Sequence, residues 1–185
     1  MWAKMLNDIK EILLSEEDIA EIVKDIADKI NEDYKDKNLL LICVLKGSVC
    51  FMSDLMKAIK IPCKIDFMAA KSYGASTETS GVVNITYDLK YDIDEYDLLI
   101  VEDIFDSGRT LEKLTNVLKA RNPKSVECCS LLDKPDRSAE EVKLQLKYIG
   151  AKIPDAFVVG YGLDYDEKYS NLPFVGILKP EVYSI

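Results

Sequence analysis

Glu102, Asp103 and Asp106 stand close together in the string VEDIFDSGRT (101–110), which continues the apolar run LLIV (98–101). Ionised carboxylates only accept hydrogen bonds, so an adjacent pair suits sugar hydroxyls or a hard cation such as Mg²⁺. Residues 106–110 add small side chains and successive backbone N–H groups that wrap into a helix N-terminus, which is an anion nest. The hydroxyls of Ser107 and Thr110 are further donors. Together the stretch can grip both halves of a ribose phosphate. The plainer alternative is an acidic turn that merely caps a helix. A Walker loop is excluded, because the G-x-x-x-x-G-K-[ST] spacing is absent.

Composition narrows the chemistry. The chain contains no histidine, which removes Ser-His-Asp and Cys-His nucleophile systems and any histidine-ligated metal. Acid–base work must fall to Asp, Glu, Lys, Tyr or Cys. Five cysteines (Cys43, Cys50, Cys63, Cys128 and Cys129) lack paired C-x-x-C spacing and sit mostly among apolar residues, as reduced core thiols do. A net charge of −9 argues against nucleic acid or an anionic membrane as the main partner. Local donors can still hold a small anionic substrate against that field. No apolar run approaches the ~18 residues of a membrane span. The opening MWAKMLNDIKEILLSEED does not read as a secretory signal, and a cytoplasmic location is expected.

The elements that must position these residues follow from periodicity. At 185 residues the expectation is one domain over 1–185. Ser15 and Asp18 form a capping box, and Ile19, Ile22, Val23, Ile26 and Ile30 line one face of the helix that follows. LLLICVL (39–45) is a buried strand, Lys46-Gly47-Ser48 a turn, VCFMSDLMKAIK a helix, and residues 65–70 a second strand. KSYGASTETSGVVN (71–84) reads as a mobile loop. Residues 98–101 form the next buried strand, a helix starts at Thr110 and ends at Asn122-Pro123, and SVECCSLL (125–132) is a strand again. VKLQLKY (142–148) alternates with period two, and FVVGYGLDY (157–165) and FVGILK (174–179) are short apolar runs. Wholly apolar strands alternating with helices predict an α/β fold. It is a Rossmann-like open, mostly parallel sheet with helices on both faces, plus a small hood lobe from the chain termini. In such a sheet ligands bind outside the carboxyl ends of the strands, where the 102–110 loop lies.

The string VEDIFDSGRT directly after a buried strand closely resembles the phosphoribosyl-pyrophosphate signature of the type I phosphoribosyltransferases. The resemblance extends over nearly the whole chain. LKGS (45–48) is similar to that family's pyrophosphate loop and KSYG (71–74) to the start of its catalytic lid. LLDKPDRS (131–138) and FVVGYGLDY (157–165) resemble the purine-binding segments of its hypoxanthine and hypoxanthine-guanine branch.

The resemblance implies purine salvage: transfer of 5-phosphoribosyl from phosphoribosyl pyrophosphate to N9 of a 6-oxopurine, with Mg²⁺ as cofactor. It implies Asp106 as the general base at purine N7, and residues Glu102, Asp103, Asp106, Ser107, Gly108, Arg109 and Thr110 around the phosphoribosyl group. Lys46 and Gly47 would face pyrophosphate through backbone N–H groups, often beside a cis peptide. Lys134 would donate to the purine O6, Phe157 stack on the base, and Val158 offer its backbone to the base edge. Asp164 would help Glu102 and Asp103 hold metal near pyrophosphate, while Ser72 and Tyr73 close over the site. Family members are commonly homodimers or homotetramers.

One departure stands out. After LDYDEKY the family usually carries an arginine that reaches pyrophosphate, and here Ser170 stands there. A serine cannot replace that bidentate cation, so weaker binding of phosphoribosyl pyrophosphate is expected unless Lys168 or Arg137 compensates. Two other functions compete: a xanthine-preferring transferase, and a non-catalytic nucleotide-sensing regulator on the same fold. The second would call for a basic RNA face, which this acidic chain does not advertise.

Overall fold

The apolar run after residue 38 becomes strand β2 (Leu39–Val44), with every residue buried. The computed structural model describes residues 2–71, 84–90 and 92–184. In chain order, β2 is preceded by helix α1 (Trp2–Asn7), strand β1 (Ile9–Leu14) and helix α2 (Glu16–Asp33). It is followed by α3 (Val49–Ala58), β3 (Cys63–Lys71), β4 (Asn84–Tyr87), β5 (Asp97–Phe105), α4 (Arg109–Lys119) and β6 (Ser125–Asp133). A 3-10 turn (Pro135–Arg137), β7 (Tyr148–Lys152), β8 (Val158–Val159), β9 (Val175–Leu178) and α5 (Pro180–Tyr183) complete the chain.

Among the described residues six strands form the central sheet in the order β4-β3-β2-β5-β6-β7. β2 pairs in parallel with β3 and β5, β5 with β6, and β6 with β7, while β4 is antiparallel at the edge. β1, β9 and β8 make a separate antiparallel sheet from the two ends of the chain. This is the expected mostly parallel sheet with a terminal hood.

Strand alternation divides the core between the two faces. Leu39, Leu41, Cys43, Leu99 and Val101 pack with Ile19, Val23, Ile26 and Ile30 of α2 and with Phe51 and Leu55 of α3. The intervening Leu40, Ile42, Leu98 and Ile100 pack with Leu111, Leu114 and Leu118 of α4. Each such side chain stabilises the fold by about 1.5–3 kcal/mol through burial. The α2 start is capped as its sequence indicates: Asp18 N–H donates to Ser15 Oγ at 3.1 Å, and Ser15 N–H donates to Asp18 Oδ2 at 2.8 Å. All five cysteines are free thiols, with Cys43, Cys128 and Cys129 buried. Among the described residues no helix is long and apolar enough to cross a membrane.

One expectation changes. β5 continues four residues past Val101, so Glu102 and Asp103 belong to the strand and not to a loop. The alternating segment 142–147 is not a strand. Its apolar Val142, Leu144 and Leu146 do pack on the α4 side of the core. The N–H groups of Lys143 and Leu144, however, donate to Glu112 Oε1 of α4 at 2.5 and 3.0 Å, where a strand would have used a neighbouring backbone. Period two here reports burial and not strand pairing.

Candidate active site

Four segments meet at the carboxyl edge of the parallel sheet: 45–48 after β2, 102–110 at the end of β5, 134–137 after β6, and 157–169 around β8. Backbone and side-chain contacts stitch them together. The Lys134 N–H donates to the Phe105 carbonyl at 2.9 Å. A Cβ added at Gly47 would stand 1.7 Å from Asp103 Oδ2, and one at Gly162 2.0 Å from the Gly47 carbonyl oxygen. Only glycine lets these three segments approach so closely. The Leu45–Lys46 peptide is cis.

Glu102 and Asp103 are neighbours in a strand and therefore project to opposite faces. Glu102 lines a cavity of about 320 Å³ together with Asp106, Ser107, Gly108 and Thr110 on the α4 side. Asp103 lies against Gly47 on the other side, within electrostatic range of Asp164. Burial raises the Asp103 carboxyl to about 6; hydrogen bonds from backbone N–H groups, including Ile104 at 2.8 Å, pull it down, and the Asp164 charge pushes it up again. Burial, reinforced by the Asp103 charge, holds Glu102 well above the usual carboxylate range. Desolvated carboxyls with no cation beside them disfavour their own charge, and a bound cation or hydroxyl donor relieves that penalty.

The turn into α4 has the anion-nest geometry. Gly108 is the N-cap residue in the left-handed region at φ 76°. A side chain there would meet Phe105 Cζ at 2.5 Å, so the turn requires glycine on two counts. The first N–H groups of α4 have no acceptor within the helix and open beside the cavity. Arg109 is placed differently from its neighbours. Its guanidinium is exposed and donates from Nε to Glu141 Oε1 at 2.6 Å, away from the cavity lining. What Arg109 offers the nest is its backbone.

Asp106 lies at the mouth of this cavity and accepts a hydrogen bond from Arg137 Nε at 3.0 Å. Lys134 is 8% exposed, and among the described residues its ammonium has no hydrogen-bond or ion-pair partner. A ligand oxygen beside it would give this buried amine an acceptor. Phe157 is 37% exposed, with its ring stacked on Tyr183 of α5 at 4.8 Å between centroids and 23° between planes. Tyr165 meets the same ring edge-on at 5.4 Å. Val158 is buried in β8, pairing with Ile177. Asp164 is exposed and accepts from the Glu167 N–H at 2.9 Å. The Lys46 ammonium is exposed and paired with Glu167 Oε1 at 3.0 Å. Ser72 and Tyr73 lie outside the described residues.

The structure thus brings Glu102, Asp103, Asp106, Ser107, Gly108, Thr110, Gly47, Lys134 and Asp164 to one edge, flanked by Phe157. Among the described residues no group of three or more His, Cys, Asp or Glu side chains is arranged to hold a metal by itself. Tyr183, Gly162 and the pairing of Arg137 escaped sequence reasoning. Arg137 was visible within LLDKPDRS, but its partner was not, and Tyr183 sits in a four-residue helix too short to show periodicity. A larger cavity of about 600 Å³ lies between α2 and α3, with Ile19, Ala20, Val23 and Ala58 in its wall. Tyr161 of the 157–169 segment also lines it, but no residue of the 102–110 turn does, so it lacks the nest.

Comparison with known proteins agrees with this geometry. Residues 10–166 match the family model described as phosphoribosyl transferase domain. A hypoxanthine-guanine phosphoribosyltransferase of Staphylococcus aureus (strain Mu50) is 51% identical over 180 residues, covering 97% of this chain and 99% of the relative. The crystal structure of a hypoxanthine phosphoribosyltransferase from Staphylococcus aureus superposes with a TM-score of 0.93 at 50% identity, covering 98% of this chain and 97% of that one. A hypoxanthine-guanine phosphoribosyltransferase from Bacillus anthracis gives a TM-score of 0.85 at 42% identity, covering 92% of this chain and 99% of that one.

Proposed function

Since the chain belongs to the phosphoribosyl transferase domain family, we propose that it works in purine salvage as a hypoxanthine-guanine phosphoribosyltransferase. It transfers the 5-phosphoribosyl group of phosphoribosyl pyrophosphate to N9 of hypoxanthine or guanine, giving IMP or GMP and releasing pyrophosphate. The observation that carries this reading is the junction of β5 and α4, where an anion nest, a carboxylate at the cavity mouth and two desolvated acids lie within one turn of chain.

The 5-phosphate sits on the backbone N–H groups and hydroxyls of residues 107–110, which reward a doubly charged monoester. Glu102 and Asp103 accept from the sugar hydroxyls, one from each face of the strand. As the bond to pyrophosphate breaks, positive charge grows on the sugar, and these acids favour it. Asp106 takes the N7 proton of the incoming base, which raises the nucleophilicity of N9. Lys134 donates to the O6 acceptor; the amino group of adenine would leave that buried ammonium unpaired. Phe157 covers one face of the base. Lys46 and Gly47 receive pyrophosphate, with Ser72 and Tyr73 closing over it. Asp103 and Asp164 would hold Mg²⁺, which when bound supplies charge neutralisation at the diphosphate. The enzyme acts as a single domain, a homodimer or homotetramer, in the cytoplasm.

The test is an assay of hypoxanthine, guanine, xanthine and adenine, each with phosphoribosyl pyrophosphate and Mg²⁺. Nucleotide formation from the first two, with adenine at least ~100-fold slower, is expected from the Lys134 acceptor requirement. No product with any base, combined with nucleotide binding, would establish a regulator instead.

A further inference from the structure

Arg137 occupies a position that the roles above leave unexplained. Its Nε–H donates to Asp106 Oδ1 at 3.0 Å, and the same nitrogen lies 3.9 Å from Asp155 Oδ1. Asp155 precedes Phe157 by two residues, so one guanidinium joins the carboxylate at the cavity mouth to the segment that carries the exposed ring. The backbone holds Arg137 for this task. The 3-10 turn begins at Pro135, and the Arg137 N–H donates to the Lys134 carbonyl at 3.0 Å. Lys134 is in turn anchored by its N–H to the Phe105 carbonyl at 2.9 Å. The donor is thus tied to the end of the very strand whose turn carries its acceptor.

The pairing is one-sided. Oδ1 of Asp106 is engaged, and among the described residues Oδ2 accepts nothing. Both side chains are roughly half exposed, and an ion pair of that kind contributes little to stability. A contact that does little for the fold but fixes the rotamer of a reacting group has another use. Holding one oxygen leaves the second aimed at a definite place, and orientation is where proton transfer gains most.

The geometry points to Arg137 as a positioning residue: it clamps Oδ1 of Asp106 so that Oδ2 faces the purine slot beside Phe157. This rests on Asp106 being the general base. It predicts that Arg137 acts on turnover and not on phosphate capture, because the nest is built from the backbone of a different turn. An Arg is needed for the directed Nε–H; a lysine brings charge without that fixed fork.

A double-mutant cycle at saturating phosphoribosyl pyrophosphate tests it. Arg137→Gln is expected to lower kcat by about ten- to a hundredfold, the scale of a misplaced catalytic group. The KM for phosphoribosyl pyrophosphate should stay within about twofold and the melting temperature should hardly move. Arg137→Lys should recover part of kcat. In an Asp106→Asn background the same Arg137→Gln change should cost nothing further, since the group it positions is gone. An equal loss in both backgrounds, or an unchanged kcat in Arg137→Gln, overturns the positioning role while leaving Asp106 as the base. Near-normal turnover in Asp106→Asn alone removes the base and the clamp together.

Discussion

β5 is one strand with two different surroundings. From Asp97 to Val101 it is paired on both sides, with β2 through Leu39–Cys43 and with β6. From Glu102 to Phe105 the described pairing is to β6 alone, at Ser130, Leu132 and Asp133. β2 has already turned away into the cis peptide and Gly47. The first half sorts its side chains by alternation into two apolar layers, Leu99 and Val101 under α2 and α3, Leu98 and Ile100 under α4. The second half applies the same alternation to acids, sending Glu102 to the α4 face and Asp103 to the other. The strand's regularity is what aims the carboxylates. Losing one neighbour is what opens space for a ligand around them.

If that division is right, the two halves should fail in different ways. Asp106→Asn, just beyond the second half, should lower kcat by about 10²–10⁴, the usual contribution of a general base, with the melting temperature unchanged. Turnover and thermal denaturation on the same preparation check this. Leu99→Ala, in the first half, should do the reverse. It removes a side chain with 0% exposure, so it should cost about 2–5 kcal/mol of stability in denaturant titration while each folded molecule keeps its activity.

Asp103→Asn sharpens the contrast through pH. The folded carboxyl, at about 6, lies above its ordinary value of 3.8, so the folded state binds more protons between these values. Wild-type stability should therefore fall as pH rises from about 4 through 6, by on the order of 3 kcal/mol from this group. The asparagine variant escapes that loss. Its stability relative to wild type should grow from pH 4 to pH 8, as paired urea titrations at the two pH values would show. A constant difference would mean that Asp103 is not desolvated as described.

The smallest effect is expected at Ser170, whose carbonyl accepts from the Gly162 N–H at 2.9 Å at the edge of the same cluster. Lys168 is paired with Asp166 at 2.7 Å and Arg137 with Asp106, so neither is idle. Ser170→Arg should lower the KM for phosphoribosyl pyrophosphate by roughly tenfold or less, the scale of one charge-assisted hydrogen bond.

The same contrast explains what was legible in the sequence. LLLICVL and LLIV showed strands, because burial on both faces leaves no choice but continuous apolar residues. The Ser15 box showed its helix start, because capping is local chemistry. VEDIFDSGRT showed the nest for the same reason. What stayed hidden depends on long-range approach. The Gly47–Asp103 and Gly162–Gly47 contacts join segments far apart in sequence, and no local pattern encodes them. The extension of β5 to Phe105 was hidden because acids carry little strand propensity, and pairing with β6 overrode it. The Arg137–Asp106 and Tyr183–Phe157 pairs required the fold before either partner could be recognised.

The most direct measurement is a crystal structure of the protein with IMP. The 5′-phosphate is expected on the N–H groups of residues 107–110, the purine against Phe157 with N7 within hydrogen-bonding reach of Asp106, and O6 at Lys134. IMP lodged in the 600 Å³ cavity between α2 and α3, with the β5–α4 turn empty, would contradict it.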